Sequence, residues 1–161
     1  MQRTPSDLTI RPRDRRFGRG QRAARRWLGG DPVGSAFYDA LSATFPKGEA
    51  FFVESVRAHR EGADPKLAAE IRAFTTQEAM HSREHAQFNR RAQEAGAELA
   101  PLEQRVEWRL SIVRAKHPIV SLAATMALEH FTAILAHQLL RDPRHLAGAD
   151  QDAADLWRWH A

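Results

Sequence analysis

Three side chains with metal-ligand chemistry recur along one predicted helix. Glu78, His81 and His85 follow one another at spacings of three and four residues, and this rhythm places them on one face of an α-helix. The apolar residues before and after them keep the same rhythm: Leu67, Ile71, Phe74, Phe88, Ala92 and Ala95. The pattern predicts that one carboxylate and two imidazoles point into the core.

Two further carboxylates occupy the apolar faces of other predicted helices. Glu49 shares its face with three apolar residues, Phe52, Val53 and Val56. Glu129 is the only formal charge in residues 118–140, and we place it on a face with Leu122, Met126, Ala133 and Leu140. An unpaired buried carboxylate is expensive. These groups are therefore expected to be paired, hydrogen-bonded or bound to a metal ion.

The donor set predicted for this core contains carboxylates and imidazoles but no sulfur. Such a set suits iron or manganese, and zinc less specifically. Glu78-Ala-Met-His81 also matches the Glu-x-x-His motif of di-iron and di-manganese bundles. One such motif is common by chance, but three inward carboxylates with two inward histidines favour a metal site. The candidate ligands are Glu49, Glu78, His81, His85 and Glu129.

Composition excludes several classes of chemistry. The chain has 161 residues and no cysteine, which excludes disulfides, thiolate zinc sites, iron–sulfur clusters and cysteine nucleophiles. Apolar residues make up 43% and charged residues 27%, as expected for a folded globular protein. We find no glycine-rich phosphate loop and no Gly-x-Ser-x-Gly motif.

The net charge of +4 is unevenly distributed along the chain. Residues 1–30 contain nine arginines and only two acidic residues, whereas residues 31–161 carry a net charge of −3. The sequence therefore predicts a basic, largely irregular arm over residues 1–30, extended or draped over a helical metal-binding domain of residues 31–161. Nucleic-acid binding is disfavoured, since aromatic residues are few and no recognition helix is evident.

From Asp31 onward the pattern is helical, which predicts an all-α fold, a helical bundle. We expect helices over residues 32–44, 46–60 and 65–95, one starting at 101, one over 118–141, and one from about 149. The apolar segment 118–140 is predicted to be a buried core helix and not a transmembrane segment, because a span would bury Glu129 and His130 in the bilayer. Without an export signal, the expected location is the cytoplasm.

Four blocks of sequence resemble a known family. They are Phe45-Pro46-Lys47-Gly48-Glu49-Ala50-Phe51-Phe52, Gln77-Glu78-Ala79-Met80-His81, Ala127-Leu128-Glu129-His130-Phe131-Thr132-Ala133 and Leu156-Trp157-Arg158-Trp159-His160-Ala161. In this order they resemble the predicted metal-dependent hydrolase family of ferritin-like bacterial proteins, from about Ile10 to the end of the chain.

The resemblance implies a ferritin-like bundle in which Glu49, Glu78, His81 and Glu129 bind metal, with His85 as a further ligand. In that family the last block continues into a second Glu-x-x-His-type segment, which would follow Ala161. We therefore expect a site that is incomplete at the C-terminus. This chain is expected to bind metal weakly or to hold one ion instead of two, and to be less stable than a longer version.

Several functions are compatible with these residues. The leading hypothesis is a metal-dependent hydrolase with a di-metal centre that acts on an unknown small-molecule substrate. The same donor set suits di-iron oxygenase or oxidase chemistry. A hypothesis of another class is a non-catalytic helical module whose arginine-rich arm binds nucleic acid or an acidic partner. A metal-free remnant, in which the polar core groups pair with one another, is a third. A homodimer is one way to cover an exposed apolar face.

Overall fold

A computed structural model of the chain describes residues 9–19 and 24–161. Within these ranges lie five α-helices: α1 (Pro32–Arg57), α2 (Pro65–Glu94), α3 (Ala100–Arg114), α4 (Pro118–Arg141) and α5 (Gln151–His160). A short 3₁₀ helix, Pro143–Leu146, connects α4 to α5. The described residues form no β-strand, and a single bridge joins Leu28 to Ala149. The predicted all-α bundle is confirmed.

The helices begin where the sequence supplies caps. Asp31, Asp64 and Asp150 each accept a hydrogen bond from a backbone N–H in the first turn of the helix that follows, which satisfies one of the free donors there. Pro32 and Pro65 are the first residues of α1 and α2. A backbone N–H at this position would have no acceptor within the helix, so proline costs nothing there. Gly96 follows α2 with φ of 94°, a conformation that glycine adopts readily.

The two longest helices, α1 and α2, form an antiparallel pair at the centre of the fold. Ser42 of α1 contacts Asn89 of α2, and further along Pro46 contacts Ser82. Helices α3 and α4 pack against α1, and α5 packs against both α2 and α4. The largest apolar cluster joins the end of the arm to α2 and α5 through Trp27, Leu28, Phe88, Leu156 and Trp157.

Helix α1 runs without interruption through Pro46, so the prediction of two separate helices here is wrong. A proline within a helix cannot donate to the carbonyl four residues earlier, which here belongs to Ser42. That carbonyl oxygen instead accepts a hydrogen bond from Nδ2 of Asn89, at 3.2 Å. A side chain of the neighbouring helix thus replaces the missing backbone donor, and α1 remains continuous.

Helix α4 is mostly exposed, so the prediction of a buried core helix is wrong. Only Thr125 among its residues is buried, and Met126 and Leu140, which we expected to point inward, are 66% and 54% exposed. The middle of the inward face carries small and polar residues at spacings of three and four, namely Thr125, Glu129, Thr132 and Ala136, and the half-buried Leu122 and Leu139 continue this face at its two ends. The expectation failed because apolar residues surround the whole helix, so hydropathy alone could not select the inward face. A helix of this length and apolarity can also span a membrane, and one such helix is weak evidence for a span.

The arm lies along the body of the protein where it is described. Phe17 packs against Trp159 with ring centroids 5.3 Å apart, and its backbone N–H donates to Glu84 at 2.9 Å. Arg13 makes two contacts with the last turn of α5: its guanidinium donates to the Trp159 carbonyl, and its own carbonyl accepts from the Trp159 indole. The arm therefore holds the C-terminal end of α5 against α2.

We expect Arg13→Ala to loosen this end of α5. A guanidinium on a carbonyl of the last helical turn also interacts favourably with the helix dipole, so its loss is expected to lower the free energy of unfolding by about 1 kcal/mol. Thermal unfolding would measure the change. Arg15→Ala is the matched control, since the Arg15 side chain makes no described hydrogen bond; equal melting temperatures for the two variants would contradict the role of Arg13.

Candidate metal centre

A polar cavity of about 180 Å³ lies where α1, α2, α4 and α5 meet. Its wall contains five side chains that could bind a metal ion, namely Glu49, Glu78, His81, Glu129 and His160. Apolar and small residues, among them Phe45, Phe52 and Ala136, form the rest of the wall. Four helices thus bring three carboxylates and two imidazoles to one partly open cavity.

Glu49 is the most deeply buried of these carboxylates. It is 2% exposed, and neither of its carboxylate oxygens has a hydrogen-bond partner among the described residues. Burial, followed by the charges of Glu78 and Glu129, raises the pKa of Glu49 well above its ordinary value. A carboxylate in this position needs a proton or a cation.

The other two carboxylates share the same environment. Burial first, and then the charge of Glu129, raises the pKa of Glu78 to about 8. Burial also raises the pKa of Glu129. Glu49 and Glu78 therefore favour their neutral forms when no cation is near, and the pKa of Glu129 shifts in the same direction, because like charges in one cavity are poorly solvated and repel.

The two cavity histidines stack on each other, with ring centroids 4.1 Å apart. Nε2 of His160 lies 3.8 Å from Oε1 of Glu49, and Nδ1 of His81 lies 3.8 Å from Oε1 of Glu78. Burial is the main cause that lowers the pKa of His81 to about 4 and that of His160 well below its ordinary value, and the charge of Arg13 adds to both shifts. Both rings are neutral at pH 7, the form that binds metals.

The amide of Gln77 holds His81 from the side away from Glu78. Its Nε2 lies 2.6 Å from Nε2 of His81, and its Oε1 accepts the backbone N–H of Arg13 at 2.7 Å. An amide nitrogen only donates, so Nε2 of the neutral His81 ring accepts and the ring proton lies on Nδ1. A metal ion on Nδ1 would require this proton to leave, with the Gln77 amide turned over.

His85 lies behind His160 and does not line the cavity. Nε2 of His85 is 2.6 Å from Nδ1 of His160, and Nδ1 of His85 is 2.8 Å from Oγ of Ser42. Its ring is completely buried, with Phe45 at a centroid distance of 4.6 Å. The sequence predicts His85 as a further ligand; to bind an ion it would have to leave one of these two partners.

His160 is a cavity residue that the sequence analysis did not include among the ligands. Potential ligand atoms of Glu49, His81 and His160 all lie within 4.8 Å of one another. The signal was present, because His160 continues the inward spacing of Ala153, Leu156 and Trp157 on α5. Its apolar neighbours alone predict a packing face, whereas the same argument makes the inward carboxylates of other helices candidate ligands.

This arrangement is chemically suited to a divalent cation. The neutral groups of the metal-free cavity would become anionic carboxylates and free imidazole lone pairs once a cation is present. The unpartnered oxygens of Glu49 provide the most direct test of fit, since a bound cation would give them the partner that the described residues do not supply. The residues present therefore fit a metal ion.

Comparison with known proteins supports this description. A model of the predicted metal-dependent hydrolase family matches residues 11–161, which include every residue of the cavity wall. No curated protein and no solved structure matches the chain significantly. Because the family model spans all of the chain after its first ten residues, the protein belongs to the family of predicted metal-dependent hydrolases.

Proposed function

We propose that this protein binds a divalent metal ion in the cavity between α1, α2, α4 and α5 and uses it in hydrolysis. The observation that carries the proposal is the carboxylate of Glu49, buried at 2% exposure with both oxygens unpartnered among the described residues. In the alternative in which the polar core groups pair with one another, this carboxylate would have found a partner.

The proposed ligands form two groups. Glu49, His81 and His160 are close enough together to share one ion. Glu78 and Glu129 line the same cavity and extend the donor set toward a di-metal centre of the ferritin-like kind. A bound divalent ion would supply Lewis acidity and an activated water molecule.

The side chains themselves would hold the protons of such a reaction. Glu78, whose pKa burial and Glu129 raise to about 8, holds a proton at neutral pH in the metal-free cavity and could donate it as a general acid. It would accept a proton as a general base only after a bound ion had displaced the first one. The cavity, at about 180 Å³, is smaller than the roughly 300 Å³ at which pockets enclose drug-sized ligands. We propose that it admits the reacting group of a small-molecule substrate and not the whole of a large one.

Iron and manganese are the proposed metals, with zinc as a further possibility, because carboxylate and imidazole donors without sulfur suit them. The same donor set supports oxygen activation at a di-iron centre. Redox change on exposure of the iron-loaded protein to oxygen would favour that chemistry, whereas an unchanged metal with hydrolytic turnover would favour hydrolysis.

Metal analysis of the full chain tests the proposal. After mild purification and reloading with Mn²⁺ or Fe²⁺, we expect about one ion per chain, or two for a complete di-metal centre. His160→Ala should reduce the bound metal at least about tenfold, since it removes a ligand. His59→Ala is the control, because His59 is a histidine of the same protein that does not line the cavity. A wild-type chain that retains no metal, or equal retention in both variants, would refute the proposed site.

A further inference from the structure

A row of buried polar groups leads from the centre of the α1–α2 pair to His160. It begins at Asn89, which is 3% exposed. Nδ2 of Asn89 lies 3.2 Å from the backbone carbonyl oxygen of Ser42, and Oδ1 lies 2.6 Å from the Ser42 hydroxyl. A carbonyl oxygen only accepts, so it fixes the orientation of the amide. Nδ2 donates to the carbonyl, and Oδ1 accepts the hydroxyl proton.

The Ser42 hydroxyl has only one proton, and that proton is donated to Asn89. At its second contact, with Nδ1 of His85 at 2.8 Å, the hydroxyl oxygen must therefore accept. The ring proton of His85 consequently lies on Nδ1. The backbone carbonyl of Ser42 thus determines the position of this proton, because it orients the Asn89 amide, which in turn orients the Ser42 hydroxyl.

The other nitrogen of His85 must then be free of a proton. His85 is 0% exposed and its ring lies among Phe45, Phe88 and Trp157. A second proton would create a buried cation with no carboxylate hydrogen-bonded to it among the described residues, which is energetically expensive. Nε2 of His85 is therefore an acceptor, and its partner at 2.6 Å, Nδ1 of His160, is the donor.

We propose that Asn89, Ser42 and His85 form a one-way chain of hydrogen bonds that keeps the ring proton of His160 on Nδ1, so that Nε2 presents a bare lone pair to the metal cavity. Nε2 is the atom that lies 3.8 Å from the Glu49 carboxylate. The three residues are thus positioning residues for His160. The role of these hydrogen bonds in metal binding rests on the proposed function, whereas their directions do not depend on it.

His81, which lacks such a chain of hydrogen bonds, has its ring proton on the opposite side with respect to the cavity carboxylates. In the metal-free protein the Gln77 amide leaves the proton of His81 on the nitrogen that faces Glu78. His160 is the cavity histidine whose lone pair is free before any ion enters. His160 would offer a lone pair to an ion without a change of tautomer, whereas His81 would first have to lose its proton on Nδ1.

Nitrogen-15 NMR of the chelator-treated, full-length chain tests the proposal without any metal. We expect His160 to be neutral, with a proton on Nδ1 and none on Nε2, and we expect the same for His85. Comparison with His160→Gln would assign the His160 signals. A proton on Nε2 of His160, or averaging of its two nitrogens, would overturn the proposal whatever the variants do.

Substitution of Ser42 provides the second test. Ser42→Ala removes the acceptor of His85, so we expect mixed tautomers at His160 and roughly tenfold weaker Mn²⁺ binding, in the range typical of outer partners of metal ligands. Ser42→Thr keeps a hydroxyl and is expected to retain the wild-type tautomer. Ser55→Ala is the matched control, because it also removes a buried hydroxyl from α1, one bonded to Thr125 instead of His85.

The outcomes separate this inference from the proposed function. If His160 has the predicted tautomer but the protein binds no Mn²⁺, the metal site is refuted and the hydrogen-bond chain is supported. Mn²⁺ binding by a protein whose His160 has the opposite tautomer would refute the hydrogen-bond chain and leave the proposed metal site standing. The hydrogen-bond chain would also be refuted if Ser42→Ala and Ser55→Ala have the same His160 tautomer and the same affinity for Mn²⁺. If Ser42→Ala fails to fold, the wild-type spectrum decides.

Discussion

We expect Glu49→Gln to make the metal-free protein more stable while it removes metal binding. At pH 7 the unfolded chain has an ionised glutamate, whereas burial keeps the Glu49 pKa well above its ordinary value in the folded state. Folding must therefore protonate this carboxylate or bury its charge, which glutamine avoids. The expected gain is about 2 kcal/mol in the free energy of unfolding, or roughly 4–8 °C in melting temperature.

Asp39→Asn should change stability in the opposite direction. Asp39 is a carboxylate of the same helix, also 2% exposed, but it accepts hydrogen bonds from Trp27 and Arg25. Its loss is expected to lower the free energy of unfolding by about 1–3 kcal/mol and to leave bound metal unchanged. Calorimetry of both variants after chelation would measure the two signs. A metal-free Glu49→Gln protein less stable than wild type would show that Glu49 has a partner that satisfies it.

The second large effect concerns pH. Between pH 7 and 8.5 we expect the metal-free protein to lose about 2 kcal/mol of stability. The pKa of Glu78 is raised from 4.5 to about 8, so its contribution is complete below pH 4.5 and is lost as the pH rises toward 8. Glu49, with a pKa also raised well above 4.5, acts in the same direction.

The other charged groups that face these acids do not reverse the trend. The pKa values of His81, His85 and His160 are lowered, so their contribution is lost only as the pH falls through and below about 6.5. At pH 7 about a quarter of these rings are still protonated in the unfolded chain, and their deprotonation up to pH 8.5 offsets the loss by only about 0.5 kcal/mol.

Two comparisons test the assignment of the pH effect. Glu78→Gln should reduce the loss between pH 7 and 8.5 by about 1 kcal/mol. Loading with Mn²⁺ should abolish the loss, because the ion displaces the protons and binds more tightly as the pH rises. Denaturant unfolding at a series of pH values would measure both. A pH-independent stability of the chelated wild-type protein would contradict the raised pKa of Glu78.

Much of the cavity could be predicted from helical periodicity. Glu49, Glu78 and His81 lie on faces whose other members are mostly apolar, and such a face identifies the side that packs inward. For Glu129 the inward position was foreseen, although two of its predicted neighbours on α4, Met126 and Leu140, are exposed. A helix that is apolar on all sides gives no contrast between faces, so only the tertiary structure could show that Thr125 and Thr132 point inward.

The roles of the two remaining histidines depend on distances that periodicity does not contain. His85 and His160 both occupy inward positions, and a pattern along one helix cannot show which of them reaches the cavity. Their relation follows from the packing of α5 against α2, which places the ring of His160 between His85 and Glu49. The Ser42–Asn89 contact is likewise a property of two helices and not of either sequence segment.

The uninterrupted passage of α1 through Pro46 has a consequence for how this position tolerates mutation. A residue better suited to a helix would restore a backbone donor to the carbonyl of Ser42, where the Asn89 amide now donates. Helix α1 would gain a hydrogen bond, and the carbonyl oxygen of Ser42, which has two lone pairs, would then accept from both the backbone N–H and the Asn89 amide. A substitution at Pro46 would therefore add a competitor for the acceptor that orients Asn89, although Pro46 itself does not line the cavity.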